Sequence, residues 1–178
     1  MNVILSLMIA LVLVAYPSKQ FRALVGQTKQ DLSVSIKDLR NAPTTVEVDS
    51  RSLHLSAYPW RDFMPINGSA DGSRLMVVLK VTSADQQPLP SGVRMDRAWV
   101  LFGEQSWEVS DLRGRIAGQD HDNDLWISCP VSPVCEVTVR GGPKWGPGVY
   151  VDVVVRLTDR EGRHHFLQAP NQYIVRSD

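Results

Sequence analysis

The 178-residue chain has no net charge, because 19 lysines and arginines are matched by 19 aspartates and glutamates. Proteins that bind the phosphate backbone of nucleic acids electrostatically need an excess of cationic side chains. The sequence therefore predicts no nucleic-acid partner. The same balance argues against a polybasic contact with a membrane surface. We expect any membrane contact to be made only by the N-terminal segment.

The sequence also lacks the motifs that identify common catalytic and metal sites. It contains no Gly-rich phosphate loop, no His-Glu-x-x-His and no Ser-x-x-Lys. His164 and His165 are adjacent, and neighbouring side chains of a strand point to opposite faces, so they cannot chelate one metal together. We predict a non-catalytic protein with no metal and no other cofactor. An envelope hydrolase stays as an alternative, because the sequence neither selects nor excludes a pair of carboxylates for glycoside hydrolysis.

One dense acidic cluster is present, in which Asp120, Asp122 and Asp124 occupy alternate positions. Calcium loops of the EF-hand type place carboxylates at positions one, three and five in this way. Here the sixth position is Leu125 instead of Gly, and the twelfth is Val131 instead of Glu. We interpret the cluster as an exposed polar loop, with a weak cation site as the alternative.

Only two cysteines occur, Cys129 and Cys135, and five residues separate them. This spacing differs from the two-residue spacing of redox and zinc pairs. Pro130 and Pro133 favour a turn between the cysteines, which could bring their Cβ atoms within the roughly 4 Å that a disulfide needs. We predict a disulfide that fixes a hairpin, and two unlinked thiols are the alternative. A disulfide would indicate an oxidising compartment.

The longest apolar run is short, and it lies at the N-terminus from Val3 to Tyr16. Fourteen helical residues span about 21 Å, less than the roughly 30 Å of a bilayer core. We predict that residues 1–18 are a signal peptide or an N-terminal apolar helix that anchors the protein in the inner membrane through residues 3–16. A buried helix of the fold is the alternative. The expected location is the periplasm or the cell exterior.

Residues 19–43 are polar and predict a linker, whereas the pattern of apolar residues changes at residue 44. From there to residue 178, short β-branched runs alternate with Gly, Pro, Asn and Asp clusters, which is typical of an antiparallel β-sandwich. The candidate strands are Thr45–Val48, Leu53–Ala57, Arg74–Ser83, Ala98–Phe102, Trp107–Ser110, Leu125–Ser128, Glu136–Arg140, Val149–Thr158, His164–Gln168 and Tyr173–Val175.

The clearest local pattern runs from Trp145 to Gly162. It comprises Pro147, Gly148 and Tyr150, then a strand with Val at alternate positions, and an Asp159-x-x-Gly162 turn. This pattern resembles the closing hairpin of bacterial immunoglobulin-like and fibronectin-type-III-like domains. The resemblance implies an all-β, immunoglobulin-like sandwich and carries little information about function.

The candidate binding residues are Tyr58, Trp60, Arg61 and Trp145. The first three lie in a segment with prolines at 59 and 65, which we predict to be too irregular for a regular strand. Aromatic and Arg side chains on loops are typical of binding hot spots. The structural alternative is that Trp60 closes one end of the core while Arg61 pairs with Asp62 or Asp96. Trp145 has the same two interpretations, whereas Trp99 lies within a predicted strand and is expected to be buried.

These observations predict an exported, non-catalytic β-sandwich that acts as a protein-binding or accessory domain in the bacterial envelope. The expected partner is another envelope protein. A carbohydrate-binding module that stacks exposed Trp and Tyr rings on a glycan is the alternative. Such a module requires roughly coplanar exposed rings, whereas a protein-binding domain requires a contiguous apolar patch with a polar rim.

Overall fold

A computed structural model describes residues 34–64, 70–110, 112 and 132–178. In this part of the chain, one short helix and nine strands form a fold of two mostly antiparallel β-sheets with a shared apolar core. The elements are α1 (Ile36–Arg40), β1 (Thr45–Val48), β2 (Arg51–Asp62), β3 (Met76–Ser83), β4 (Arg94–Phe102), β5 (Gln105–Val109), β6 (Val134–Arg140), β7 (Tyr150–Thr158), β8 (His164–Tyr173) and β9 (Val175–Ser177). The predicted all-β sandwich is confirmed at this level.

The strands are divided between two sheets. Sheet 1 has the order β1-β2-β3-β6, and β9 pairs with β2 in the parallel direction. Sheet 2 has the order β5-β4-β7-β8, and all of its pairs are antiparallel. The chain changes sheets between β8 and β9 at Ile174, which is completely buried.

Period-two alternation builds the core between the sheets, as the sequence predicts. In β3, Val77, Leu79 and Val81 all have 0% exposure, whereas Lys80 between them is exposed. In β7 the odd-numbered residues from 151 to 157 are buried in the same core. Each buried Val or Leu side chain contributes about 1.5–3 kcal/mol to folding, so these strands supply much of the driving force.

A second, smaller core covers the outer face of sheet 2. Leu39 of α1, which is 1% exposed, packs there with Ala42 against Trp99, Leu101 and Val154. The burial predicted for Trp99 is confirmed at 3% exposure. Residues 34–43 were expected to belong to a linker, but the compact unit begins at residue 34 because these apolar side chains dock on the sheet.

The segment around Pro59 is a regular strand, contrary to expectation. β2 continues through Pro59 to Asp62 and pairs with β3 along this length. On its other side, β2 pairs with β1 only up to residue 54 and with β9 only from residue 60. Proline lacks an N–H group and is tolerated in strands where that position faces an open edge. The gap between β1 and β9 provides such an edge.

Several sequence predictions lie outside the described residues: the N-terminal segment, the loop with Asp120, Asp122 and Asp124, the strand Leu125–Ser128, and Cys129. Cys135 lies in β6 and is 1% exposed, so its pairing with Cys129 stays a prediction. No helix among the described residues has the length and apolarity to cross a membrane.

Candidate binding surface

Two predicted site residues lie together on the outer face of sheet 1. Side chains alternate along β2, so that Leu53 and Leu55 point into the core while Tyr58 and Trp60 point outward. Tyr58 is 53% exposed. Trp60 is partly buried, and it has a strand on each side because it pairs with β3 and with β9.

The strand register extends this pair into two rows across three strands. One row consists of Tyr58, Val78 and Thr138, and the next consists of Trp60, Met76 and Arg140. Neighbouring strands are about 4.8 Å apart and successive rows about 7 Å apart. We call these six residues the aromatic face. Its members are distant in sequence, and only the sheet brings them together.

Polar residues border the aromatic face. Along the same strands, the next row consists of Ser56, Lys80 and Glu136, all exposed. At the opposite border, Arg74 precedes β3 and is also exposed. Within the aromatic face, Tyr58 and Arg140 are exposed, Trp60, Val78 and Thr138 are partly buried, and Met76 is buried at 8% exposure. Apolar side chains with polar residues along their border are typical of protein interfaces.

Arg61 has a different role from the one predicted. It points inward and is 3% exposed, so it cannot present its guanidinium to a partner. Its Nε donates to the Ser73 carbonyl oxygen at 2.8 Å and its Nη1 to that of Lys144 at 3.2 Å. Further bonds go to the carbonyl oxygens of Asp71 and Gly146. Burial lowers the pKa of Arg61, and the nearby Asp71 partly offsets this.

The ion pair suggested for Arg61 does not form. Asp96 instead accepts hydrogen bonds from Arg156 at 2.9 and 3.0 Å and from the Thr158 hydroxyl at 2.8 Å. Burial alone would raise the pKa of Asp96, but the hydrogen bonds from Arg156 and Thr158 outweigh it and lower this pKa. The ion pair between Asp96 and Arg156 joins β4 to β7 on the outer face of sheet 2.

Trp145 lies apart from the aromatic face. Its Nε1 donates to the Gln105 side-chain oxygen at 2.8 Å, and its ring centroid is 5.6 Å from that of Phe102. It is partly buried against the main core. Trp145 therefore closes one end of the sandwich, which agrees with its structural interpretation. Of the four candidates, Tyr58 and Trp60 alone share one surface.

A second pair of exposed aromatics was missed at the sequence level. Tyr150 and Tyr173 are 62% and 49% exposed and lie opposite each other in β7 and β8. Their ring centroids are 5.3 Å apart, and their planes are inclined by 60°. This inclination does not give the flat platform that stacks on a sugar ring. The sequence placed the two tyrosines in adjacent predicted strands, and this was the signal that could have brought them together. Pairing them needs the register of β7 and β8, which has an irregularity between Val151 and Val153 that the sequence does not reveal.

No protein-family model, curated protein or solved structure matches this chain. In the described part of the chain, no group of three or more His, Cys, Asp or Glu residues could hold a metal ion. The functional argument therefore depends on the geometry of the surfaces.

Proposed function

We propose that this chain is an exported, non-catalytic β-sandwich that acts as a protein-binding or accessory domain in the bacterial envelope. The observation that supports the proposal is the aromatic face, in which the register places the exposed Tyr58 beside Val78 and in the row next to Trp60, with exposed polar residues along the border. Outer faces of antiparallel sheets in contact with water are normally polar. An exposed Tyr beside a Trp, a Met and an Arg matches the composition of interface cores.

The proposal includes an immunoglobulin-like type of sandwich. If β2, β3, β4, β6, β7 and β8 are named A, B, C, E, F and G, the sheets contain A-B-E and C-F-G. These are orders found in immunoglobulin domains. β5 then extends the second sheet beside strand C. The proposal of export is supported by the apolar segment Val3–Tyr16 and by the predicted disulfide.

The alternatives gain less support. A carbohydrate-binding module would use roughly coplanar rings, and the exposed Tyr150 and Tyr173 are inclined by 60°. A hydrolase needs a general acid whose pKa is raised. Among the described residues, the partly buried Asp96 and the buried Asp159 have lowered pKa values instead, because Arg156 and Thr158 donate hydrogen bonds to Asp96, and His165 and Arg163 donate to Asp159.

Site-specific photocrosslinking in intact cells tests the binding surface. A photoreactive phenylalanine analogue at Tyr58 should give a discrete protein adduct. The same analogue at Tyr150, which is 62% exposed on the other sheet and therefore at least as accessible as Tyr58 at 53%, should not give that adduct. Equal adducts at both positions, or none at Tyr58, would overturn the proposal.

A fusion of alkaline phosphatase after residue 43 tests export, because this enzyme is active only outside the cytoplasm. An inactive fusion would refute that part.

A further inference from the structure

We infer that the partner binds the aromatic face through an acidic protein segment, in which carboxylate side chains alternate with apolar or aromatic ones. The inference rests on the proposed function and specifies the chemistry of the partner. Its basis is a pair of arginines: Arg140, which belongs to the face, and Arg74, which lies at its border. The chain as a whole is neutral, so this positive charge is a local feature.

Arg140 belongs to the aromatic face itself. It lies opposite Met76 in the register, and its Nη1 is 3.2 Å from the Met76 sulfur. The guanidinium therefore contacts Met76, whose row also contains Trp60. Arg140 is exposed, so its guanidinium is accessible to a ligand.

Arg74 lies one row farther along β3. The next residue, Leu75, is completely buried in the core, so alternation places Arg74 on the outer side. The Gly142 N–H donates to the Leu75 carbonyl oxygen at 3.1 Å, which continues the β3–β6 pairing beyond Met76 and Arg140. Arg74 and Arg140 are thus diagonal neighbours on adjacent strands, within reach of each other's long side chains.

Within the described residues, neither arginine has an acidic partner at ion-pair distance. Asp62, which the β2–β3 register would place opposite Arg74, accepts a hydrogen bond from the Met64 backbone N–H at 2.9 Å. Most other described arginines do have carboxylate partners, as the pairs Arg51–Asp85, Arg97–Glu108 and Arg156–Asp96 show. Two arginines side by side, neither in an ion pair with a described carboxylate, favour an anionic ligand.

Geometry and chemistry together favour a peptide over a small anion. Arginine binds carboxylates through two parallel hydrogen bonds. A free anion would leave the exposed ring of Tyr58 and the partly buried ring of Trp60 uncovered. Alternate side chains of an extended chain are about 7 Å apart, which equals the spacing between Arg74 and the row that contains Trp60. A segment with carboxylates and apolar side chains at alternate positions therefore satisfies both parts of the surface.

Fluorescence anisotropy with short labelled peptides tests this inference. Three peptides share the same Leu and Phe residues and carry Glu, Lys or Gln at the alternate positions. At low salt, the Glu peptide should bind the full chain at least about tenfold more tightly than the Gln peptide. The Lys peptide should bind more weakly than either. Inorganic phosphate should not compete at the concentrations that displace the peptide.

Charge-reversal variants locate the binding. Arg74→Glu and Arg140→Glu should each weaken binding of the Glu peptide by about tenfold. Arg160→Glu, which makes the same charge change at an exposed turn beyond β7, should bind as the unchanged chain does. Circular dichroism confirms the fold of each variant.

The outcomes separate the inference from the proposed function. If the Glu and Gln peptides bind equally, or if Arg160→Glu weakens binding as much as the other variants, the acidic segment is wrong. If no peptide binds while Tyr58 still gives its adduct, the aromatic face binds a partner of other chemistry and the inference falls alone. If the Tyr58 adduct is also absent, the proposed function fails.

Discussion

The guanidinium of Arg61 donates a hydrogen bond to the Lys144 carbonyl oxygen at 3.2 Å, joining residues that lie 83 positions apart. Through its bond to Ser73 the same side chain also holds the segment that precedes β3. Arg61 is therefore a buried connection between β2 and two loops at one end of the sandwich.

Replacement of Arg61 by Met should destabilise the fold strongly. The change leaves buried carbonyl groups without donors, and we expect a loss of about 3 kcal/mol in the free energy of unfolding. Urea denaturation measures it. Arg176→Met is the matched control, because Arg176 also lies over the Phe63 ring but is exposed. A loss of equal size in the two variants would show that the bonds of Arg61 to the loops are unimportant.

Replacement of Leu39 by Ala should detach the short helix from sheet 2. Leu39 is 1% exposed among Trp99, Leu101 and Val154, and such truncations cost about 2–5 kcal/mol. Urea denaturation again gives the difference. Lys37, an exposed residue of the same helix, provides the control, and Lys37→Ala should leave the midpoint of urea denaturation unchanged. An unchanged midpoint for Leu39→Ala would mean that residues 34–43 do not contribute to stability.

Stability should fall in acid because of Asp159. Its carboxylate accepts bonds from the Arg163 Nε at 2.6 Å and from the His165 Nε2 at 2.9 Å. Burial alone would raise the pKa of Asp159, but the bonds from His165 and Arg163 outweigh it and bring this pKa well below its ordinary value. A lowered folded-state pKa contributes stability above the unfolded-state pKa of about 3.9, and that stability is lost as the pH falls below it.

Thermal unfolding of Asp159→Asn across the pH range measures this effect. At neutral pH the variant should melt below the unchanged chain, and the difference should shrink as the pH falls below about 4. Glu47→Gln removes an exposed carboxylate and should behave as the unchanged chain does throughout. A difference for Asp159→Asn that stays constant down to the lowest pH would contradict the assignment.

The predicted disulfide can be tested by thiol labelling. Because Cys135 is 1% exposed, burial alone would protect it, and the labelling must be done in denaturant. Iodoacetamide should then modify neither cysteine of the unreduced protein and both after reduction. The bond should add about 2 kcal/mol to stability. Alkylation of both thiols without reductant would rule out the bond and weaken the case for export.

Alternation of apolar residues was enough to predict most of the strands. β1 has the predicted bounds, Thr45–Val48, and β7 begins one residue later than predicted. Both predictions succeed because, in a strand with one buried face, apolar residues must recur at every second position. β2 was predicted too short because Pro59 reads as a strand breaker, and only the gap beside it explains why it is tolerated.

The candidate site was predictable only in part. An exposed aromatic next to a Trp can be recognised in the sequence, and Tyr58 and Trp60 do share a surface. Arg61 points inward because it continues the alternation of β2, in which odd-numbered residues face the core. The strand predicted from the sequence ended at Ala57, so the alternation was not extended to Arg61. Arg140 and Met76 join the face through the registers of two strand pairs. Register is set by packing of the whole sheet, so no local pattern specifies it.

The parallel pairing of β9 with β2 has a practical consequence for any assay of the aromatic face. Val175 lies beside Trp60, and the chain then runs along β2 past Asp62. A purification tag or fluorescent fusion attached after Asp178 would therefore emerge at the border of the surface under study and compete with an incoming molecule. Labels attached within the exposed turn at Gly162, at the far end of sheet 2, leave that approach open.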